Sequence, residues 1–173
     1  PFGVFVSSDY VSSAAKSEFM SWSMLKEISN NNGLILNHSK SHESLVGIDI
    51  QTLKKEIEQN QTEIEKNIGK QPKIFSYPYG ESSESVEEVV KKLNYDFAFS
   101  QHSAPIHFNQ NKYRLPRYAL NDEFGSLQRF KMILKTKPLQ IYDSSFNDSI
   151  ISKDNLHLSF LSKFPSKLIN CFI

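Results

Sequence analysis

The sequence predicts an α/β fold with parallel strands, because short apolar, β-branched or aromatic runs alternate with helical stretches of about 10–18 residues. Two further observations agree. The polar residues able to do chemistry come directly after strands, where folds of this class gather their sites. The composition is that of one ordinary globular domain: 173 residues, 39% hydrophobic and 23% charged.

In chain order, Phe2–Val6 is an apolar run closed by Ser7, Ser8 and Asp9, which fits a buried strand entering a loop. Phe19, Trp22, Leu25 and Ile28 recur at threes, so an amphipathic helix is expected, closed by a left-handed Gly33. Residues 34–36 form a second strand that delivers Asn37-His38-Ser39-Lys40-Ser41-His42. Ile50–Ile68 is the clearest helix, with Leu53, Ile57, Ile64 and Ile68 on one face and Gly69 at its end. Residues 73–77 form a third strand, broken by Pro78 and Gly80. Ser82 or Ser83 then caps a helix with the stripe Val86, Val89, Val90 and Leu93. Residues 96–100 and 114–120 read as fourth and fifth strands, and Leu127, Phe130, Met132, Ile133 and Leu134 as a further helix.

From Leu139 the rhythm changes. Residues 141–142, 156–161 and 168–173 are short apolar runs separated by Ser, Asn, Asp and Pro, so an α/β domain over 1–138 and a β-rich extension over 139–173 are expected. The chain starts inside an apolar strand without a Met and stops inside an apolar run, and is expected to be an internal fragment. Lys plus Arg (20) and Asp plus Glu (19) nearly cancel, which argues against nucleic acid or an anionic membrane as partner. Cys171 is the single cysteine, so no internal disulfide and no CxxC metal pair can form. No run approaches the ~18 apolar residues of a membrane span.

Two segments could carry chemistry. His38 and His42 are four apart, so one helical turn or a compact loop would aim both imidazoles at one metal ion, although a bare HxxxH is more often two solvated loop histidines. In Phe75-Ser76-Tyr77-Pro78-Tyr79-Gly80-Glu81, Pro78 and Gly80 force a tight turn at a strand end. Such a turn can present the Tyr79 N–H to a developing oxyanion while the aromatic rings wall a sugar groove. Taken alone, the segment is more often an ordinary Pro-Gly loop with buried tyrosines.

Taken together and in this order, the segments resemble the polysaccharide deacetylase family, the NodB-homology domain. His38-Ser39-Lys40-Ser41-His42 fits the family's H-[ST]-x-x-H motif, and Tyr77-Pro78-Tyr79-Gly80 fits its R-x-P-Y-G motif apart from the arginine, whose position holds Ser76. Met20-Ser21-Trp22-Ser23-Met24-Leu25-Lys26-Glu27 is similar to the helix that leads into the first of these. The resemblance covers roughly residues 1–135 and implies a distorted, incomplete (β/α) barrel. It also implies hydrolysis of acetyl groups on N-acetylated sugars of a polysaccharide, with a divalent metal, zinc above others, on His38 and His42. Tyr77, Pro78, Tyr79 and Gly80 would bind substrate, and the Tyr79 N–H would hold the oxyanion. The family's paired aspartates, its general base and third metal ligand, have no counterpart among these residues, and Asp9 lies after the strand and outside that motif. Arg117 could supply the cation lost at Ser76, and is equally the member of a surface salt bridge. The family's late leucine-x-histidine motif has no clear match: His157 sits in the β-like tail, and His102, directly after the fourth strand, is the better candidate for the remaining polar role. His107 has no supporting context. Two other readings fit the residues: a non-catalytic carbohydrate-binding or structural module, and a different metal-dependent amidohydrolase on the same barrel.

Overall fold

The computed structural model describes residues 2–12, 18–138, 141–142, 159 and 161–162. Its sheet has four parallel strands in sequential order: β1 (Phe2–Val6), β2 (Gly33–Asn37), β3 (Ile74–Ser76) and β4 (Phe97–Phe99). Helices fill the connections, with α1 (Ser8–Ser12) and α2 (Trp22–Asn30) between β1 and β2, α3 (Ile50–Ile68) between β2 and β3, and α4 (Glu84–Lys92) between β3 and β4. After β4 come α5 (Leu127–Lys135) and an antiparallel pair, β5 (Ile141–Tyr142) with β6 (Leu161–Ser162).

Sequential parallel strands with helical crossovers form the wall of a β/α barrel. The wall is strongly curled. Strands β1 and β4 are three places apart, which a flat sheet would separate by about 14 Å, yet the rings of Phe5 and Phe99 lie 6.2 Å apart. Alternation along the strands sends one set of side chains to the helices. Phe75 and Ala98 join Leu53, Ile57, Val86 and Val90 in one buried cluster, and Val6 and Ile35 join Leu25 and Ile64 in another. Among the described residues β1 pairs only with β2, and β1 is an edge strand.

Helix α3 has the bounds its sequence pattern predicts. Asp49 accepts from the N–H groups of Gln51 and Thr52 at its start, and Gly69 closes it at φ 81°. Elsewhere the expectations need correction. Helix α2 starts at Trp22, capped by Ser21, so Phe19 lies outside it and is exposed. Asn32, not Gly33, takes the left-handed conformation (φ 67°) after α2. Gly33 instead opens β2 against α2, where a Cβ would come within 2.4 Å of Ile28 Cγ2. The fifth strand over 114–120 shrinks to one bridge between Leu115 and Phe99. Pro116 follows at once and has no N–H to continue the ladder. Of the runs expected in the tail, 168–173 and nearly all of 156–160 lie outside the described residues, as do His157 and Cys171.

Candidate active site at the strand ends

His38 follows β2, and the chain there is fastened on all sides. Its N–H donates to the Val6 carbonyl, its carbonyl accepts from Ser7 Oγ, and Asn37 Oδ1 takes the N–H of Ser39. The Ser39 hydroxyl accepts the N–H of His42, and Glu56 on α3 accepts both the N–H and the hydroxyl of Ser41. This compact loop brings the two imidazoles to a centroid separation of 4.8 Å. It requires left-handed backbone at Ser39 (φ 62°) and at His42 (φ 61°).

The Nδ1 atom of His38 lies 2.7 Å from the Ser76 carbonyl oxygen. A carbonyl only accepts, so Nδ1 carries the proton and the lone pair is on Nε2. Burial above all, then the nearby His42 and Arg117, holds the His38 imidazole well below its usual range, at about 4, while the Ser76 hydrogen bond pulls the other way. His38 is therefore neutral near pH 7. A neutral imidazole with its far nitrogen anchored on a carbonyl is how metal-binding histidines are prepared, so the His38–His42 pair fits a divalent cation as two of its ligands. Among the described residues no group of three or more His, Cys, Asp or Glu side chains forms a complete cage. Asp9 pairs instead with Lys40, at 3.6 Å.

The turn Pro78–Gly80 follows β3 and reaches the same place. The Tyr79 ring packs edge-on against His42 at 4.9 Å and is 59% exposed. Tyr79 itself is left-handed (φ 57°), and the N–H groups of Gly80 and Glu81 are occupied by the carbonyls of Tyr77 and Pro78. Gly80 (φ 74°) lies against the next loop so closely that a Cβ would come within 2.4 Å of Gln101 N. Tyr77 corrects the sequence expectation: it is 0% exposed, its ring packs on Phe75, and its hydroxyl donates to the Tyr113 carbonyl, so it walls no groove. Pro78 is buried as well.

His102 follows β4 in the cleft beyond that turn, and Arg117 lies close enough to His38 to lower its pKa. The N–H of Arg117 donates to the His102 carbonyl and its Nη2 to Gln101 Oε1, while its buried Nε has no hydrogen-bond partner among the described residues. His102 Nδ1 is 2.6 Å from Ser100 Oγ. Two clefts result. One, of about 460 Å³, runs along β1 past Phe5, Ser7 and Tyr10 to His38 and His42. The other, of about 510 Å³, is lined by Gly80, Glu81, Ser100, His102 and Arg114. The structure thus groups His38, His42 and Tyr79, and sets His102 in the adjoining cleft.

The sequence model of the polysaccharide deacetylase family matches residues 1–98, the stretch carrying both histidines and the Tyr79 turn. The chain belongs to the polysaccharide deacetylase family. Poly-β-1,6-N-acetyl-D-glucosamine N-deacetylases of Staphylococcus aureus are 30% identical over 88 residues, covering 50% of this chain. The match spans 30% of the length of those relatives. Among solved structures, a Streptococcus pyogenes deacetylase in complex with acetate superposes with a TM-score of 0.65 at 13% identity, over 73% of this chain and 56% of that one. A polysaccharide deacetylase from Bacillus cereus gives 0.60 at 21% identity, over 67% and 37% respectively. At such identities the likeness is one of fold, and it agrees with the incomplete parallel barrel.

Several residues that shape the site of this polysaccharide deacetylase family member escaped the sequence reading. Glu56 and Asn60 come from α3, and Ser7 from the end of β1. Asn60 did leave a signal, since it is a polar residue three after Ile57 and four before Ile64 on an otherwise apolar stripe.

Proposed function

We propose that the chain carries part of the site of a metal-dependent hydrolase that removes acetyl groups from N-acetylated sugars of a polysaccharide, with zinc on His38 and His42. Without the paired aspartates, these residues alone bind metal weakly and catalyse poorly. The observation that carries this reading is the imidazole pair at 4.8 Å, with His38 neutral and anchored through Nδ1 on the Ser76 carbonyl. When bound, a zinc ion polarises an acyl carbonyl and lowers the pKa of its water toward about 7. His38 would present Nε2 to the metal, and His42 would supply the second imidazole from four residues on. The Tyr79 N–H donates to the oxygen on which negative charge develops, and the exposed Tyr79 ring offers an apolar face to a sugar. Gly80 lets the turn pack directly against Gln101, which fixes where Tyr79 sits. Arg117, half-buried and close enough to His38 to depress its pKa, would hold ionised an aspartate of the family's pair, which has no counterpart among these residues. His102, in the adjoining cleft, is the candidate for the remaining polar contact with a substrate that extends beyond Gly80. The substrate class is supported by the N-acetylglucosamine polymer named in the Staphylococcus aureus relatives.

The test is zinc titration and acetate release from a β-1,6-linked N-acetylglucosamine oligomer, using the full-length protein and its His38→Ala and His42→Ala variants. Each variant is expected to lose at least about tenfold in zinc affinity and nearly all acetate release. Full activity in either variant would remove the metal assignment. Oligomer binding without acetate release would favour a carbohydrate-binding module.

A further inference from the structure

We infer that Asn60, a fully buried residue of α3 outside the site itself, is the positioning residue for the His38–His42 pair. The inference rests on the metal-binding reading above and deepens it. A buried amide group left unpaired is destabilising, and here each is paired. Asn60 Nδ2 donates to the Val6 carbonyl at 2.7 Å and to Asn37 Oδ1 at 2.8 Å, and Oδ1 accepts the N–H of Ser8 at 2.9 Å.

Both acceptors flank His38. The Val6 carbonyl also takes the His38 N–H, and Asn37 is its neighbour in the chain. Asn37 is saturated in turn: Oδ1 also takes the Ser39 N–H at 2.9 Å, and Nδ2 donates to the Ile57 carbonyl at 3.0 Å and the Tyr95 hydroxyl at 2.6 Å. Neither amide can flip without setting donor against donor. One side chain therefore ties the C-terminal ends of β1 and β2 to α3 at the level of His38. Through Ser39, whose hydroxyl takes the His42 N–H, the same network reaches the second imidazole. Metal–ligand distances tolerate only about ±0.2 Å, so loss of this clamp should be felt as lost metal affinity beyond any loss of stability.

The experiment compares Asn60→Asp with Ile64→Ala in the full-length protein. Aspartate keeps the size of Asn60 and the acceptor for Ser8, but opposes the Val6 and Asn37 oxygens with no donor. Ile64 is equally buried one turn along α3 and takes no part in the network. Two quantities are read: zinc affinity, and the imidazole ¹⁵N shifts of the metal-free protein, which report the tautomer and surroundings of His38. Asn60→Asp is expected to lose about 10–100-fold in zinc affinity and to shift the His38 and His42 signals. Ile64→Ala, with a comparable fall in Tm, should stay within about twofold of wild type and keep both signals in place. A folded Asn60→Asp protein with wild-type affinity and shifts overturns the inference. So does an Ile64→Ala protein that loses affinity in step, since the effect is then mere destabilisation. If Asn60→Asp does not fold, Asn60→Ser, too short to span both acceptors, is judged against the same control and the same two outcomes. If wild type itself binds no zinc, the metal reading fails, and the imidazole shifts alone still decide whether Asn60 places His38.

Discussion

Ser39, His42 and Tyr79 adopt left-handed backbone where strand ends meet the candidate site, and none is a glycine. The other non-glycine cases among the described residues, Asn32 and Asn94, are asparagines, which tolerate that region. Left-handed backbone at a residue such as Tyr costs on the order of 1–3 kcal/mol unless the surroundings enforce it. Tyr79→Gly should therefore leave Tm unchanged or raise it, while removing the ring that packs on His42. A clear fall in Tm on thermal unfolding would mean that the ring contributes more than the strain costs. Gly80→Ala runs the other way, because its Cβ meets Gln101 N at 2.4 Å in a backbone that already requires glycine. It should lose more than about 1 kcal/mol in denaturant unfolding. The Gly80 requirement is legible from Pro-x-Gly spacing. The strain at His42 and Tyr79 is not, since no local residue preference announces it.

Helix α3 is the element most completely legible from sequence, because its cap, apolar stripe and closing glycine all agree. Its worth lies in what it buries. Ile57→Ala, at a fully buried position in the cluster with Phe75 of β3 and Val86 and Val90 of α4, should cost about 2–5 kcal/mol. Leu127→Ala on α5 should change stability by no more than about 0.5 kcal/mol, because that side chain is exposed and α5 buries no residue among those described. Equal effects in urea unfolding would contradict this ranking. Periodicity reveals that α5 is helical but not what covers it. The strands are legible by position, although β3 and β4 are shorter than their apolar runs because pairing, not hydrophobicity, sets their ends. At Leu115 a single proline ends the ladder.

Across the molecule, the buried cluster built on Phe75 and Ala98 places Tyr77 and Tyr95 deep in the protein. Burial raises both phenols well above their usual range. The charge of Glu87 adds to this at Tyr77, and donation from Asn37 opposes it at Tyr95. The folded state keeps these protons while the unfolded chain gives them up from about pH 10. The stability they contribute is thus full below that pH and falls above it, by about 1.4 kcal/mol per pH unit for each group. Cooperative alkaline unfolding is expected, with two of the seven tyrosines ionising only as the far-UV circular dichroism signal collapses. Seven freely titrating tyrosines in a folded protein would contradict this. The pairing of HxxxH with the Tyr-Pro-Tyr-Gly turn was legible because both follow strands of one parallel wall. The burial of Tyr77 and the anchoring by Asn60 depend on contacts between segments far apart in the chain, which no local pattern encodes. Tyr79 packs on His42 while its chain neighbour Gly80, pressed against Gln101, lines the cleft of His102, so one turn touches both clefts. A shift of Tyr79 is passed to Gly80 through a single peptide bond, so a fluorine probe placed beside His102 should respond when zinc binds at His38, making the second cleft a remote reporter of the first.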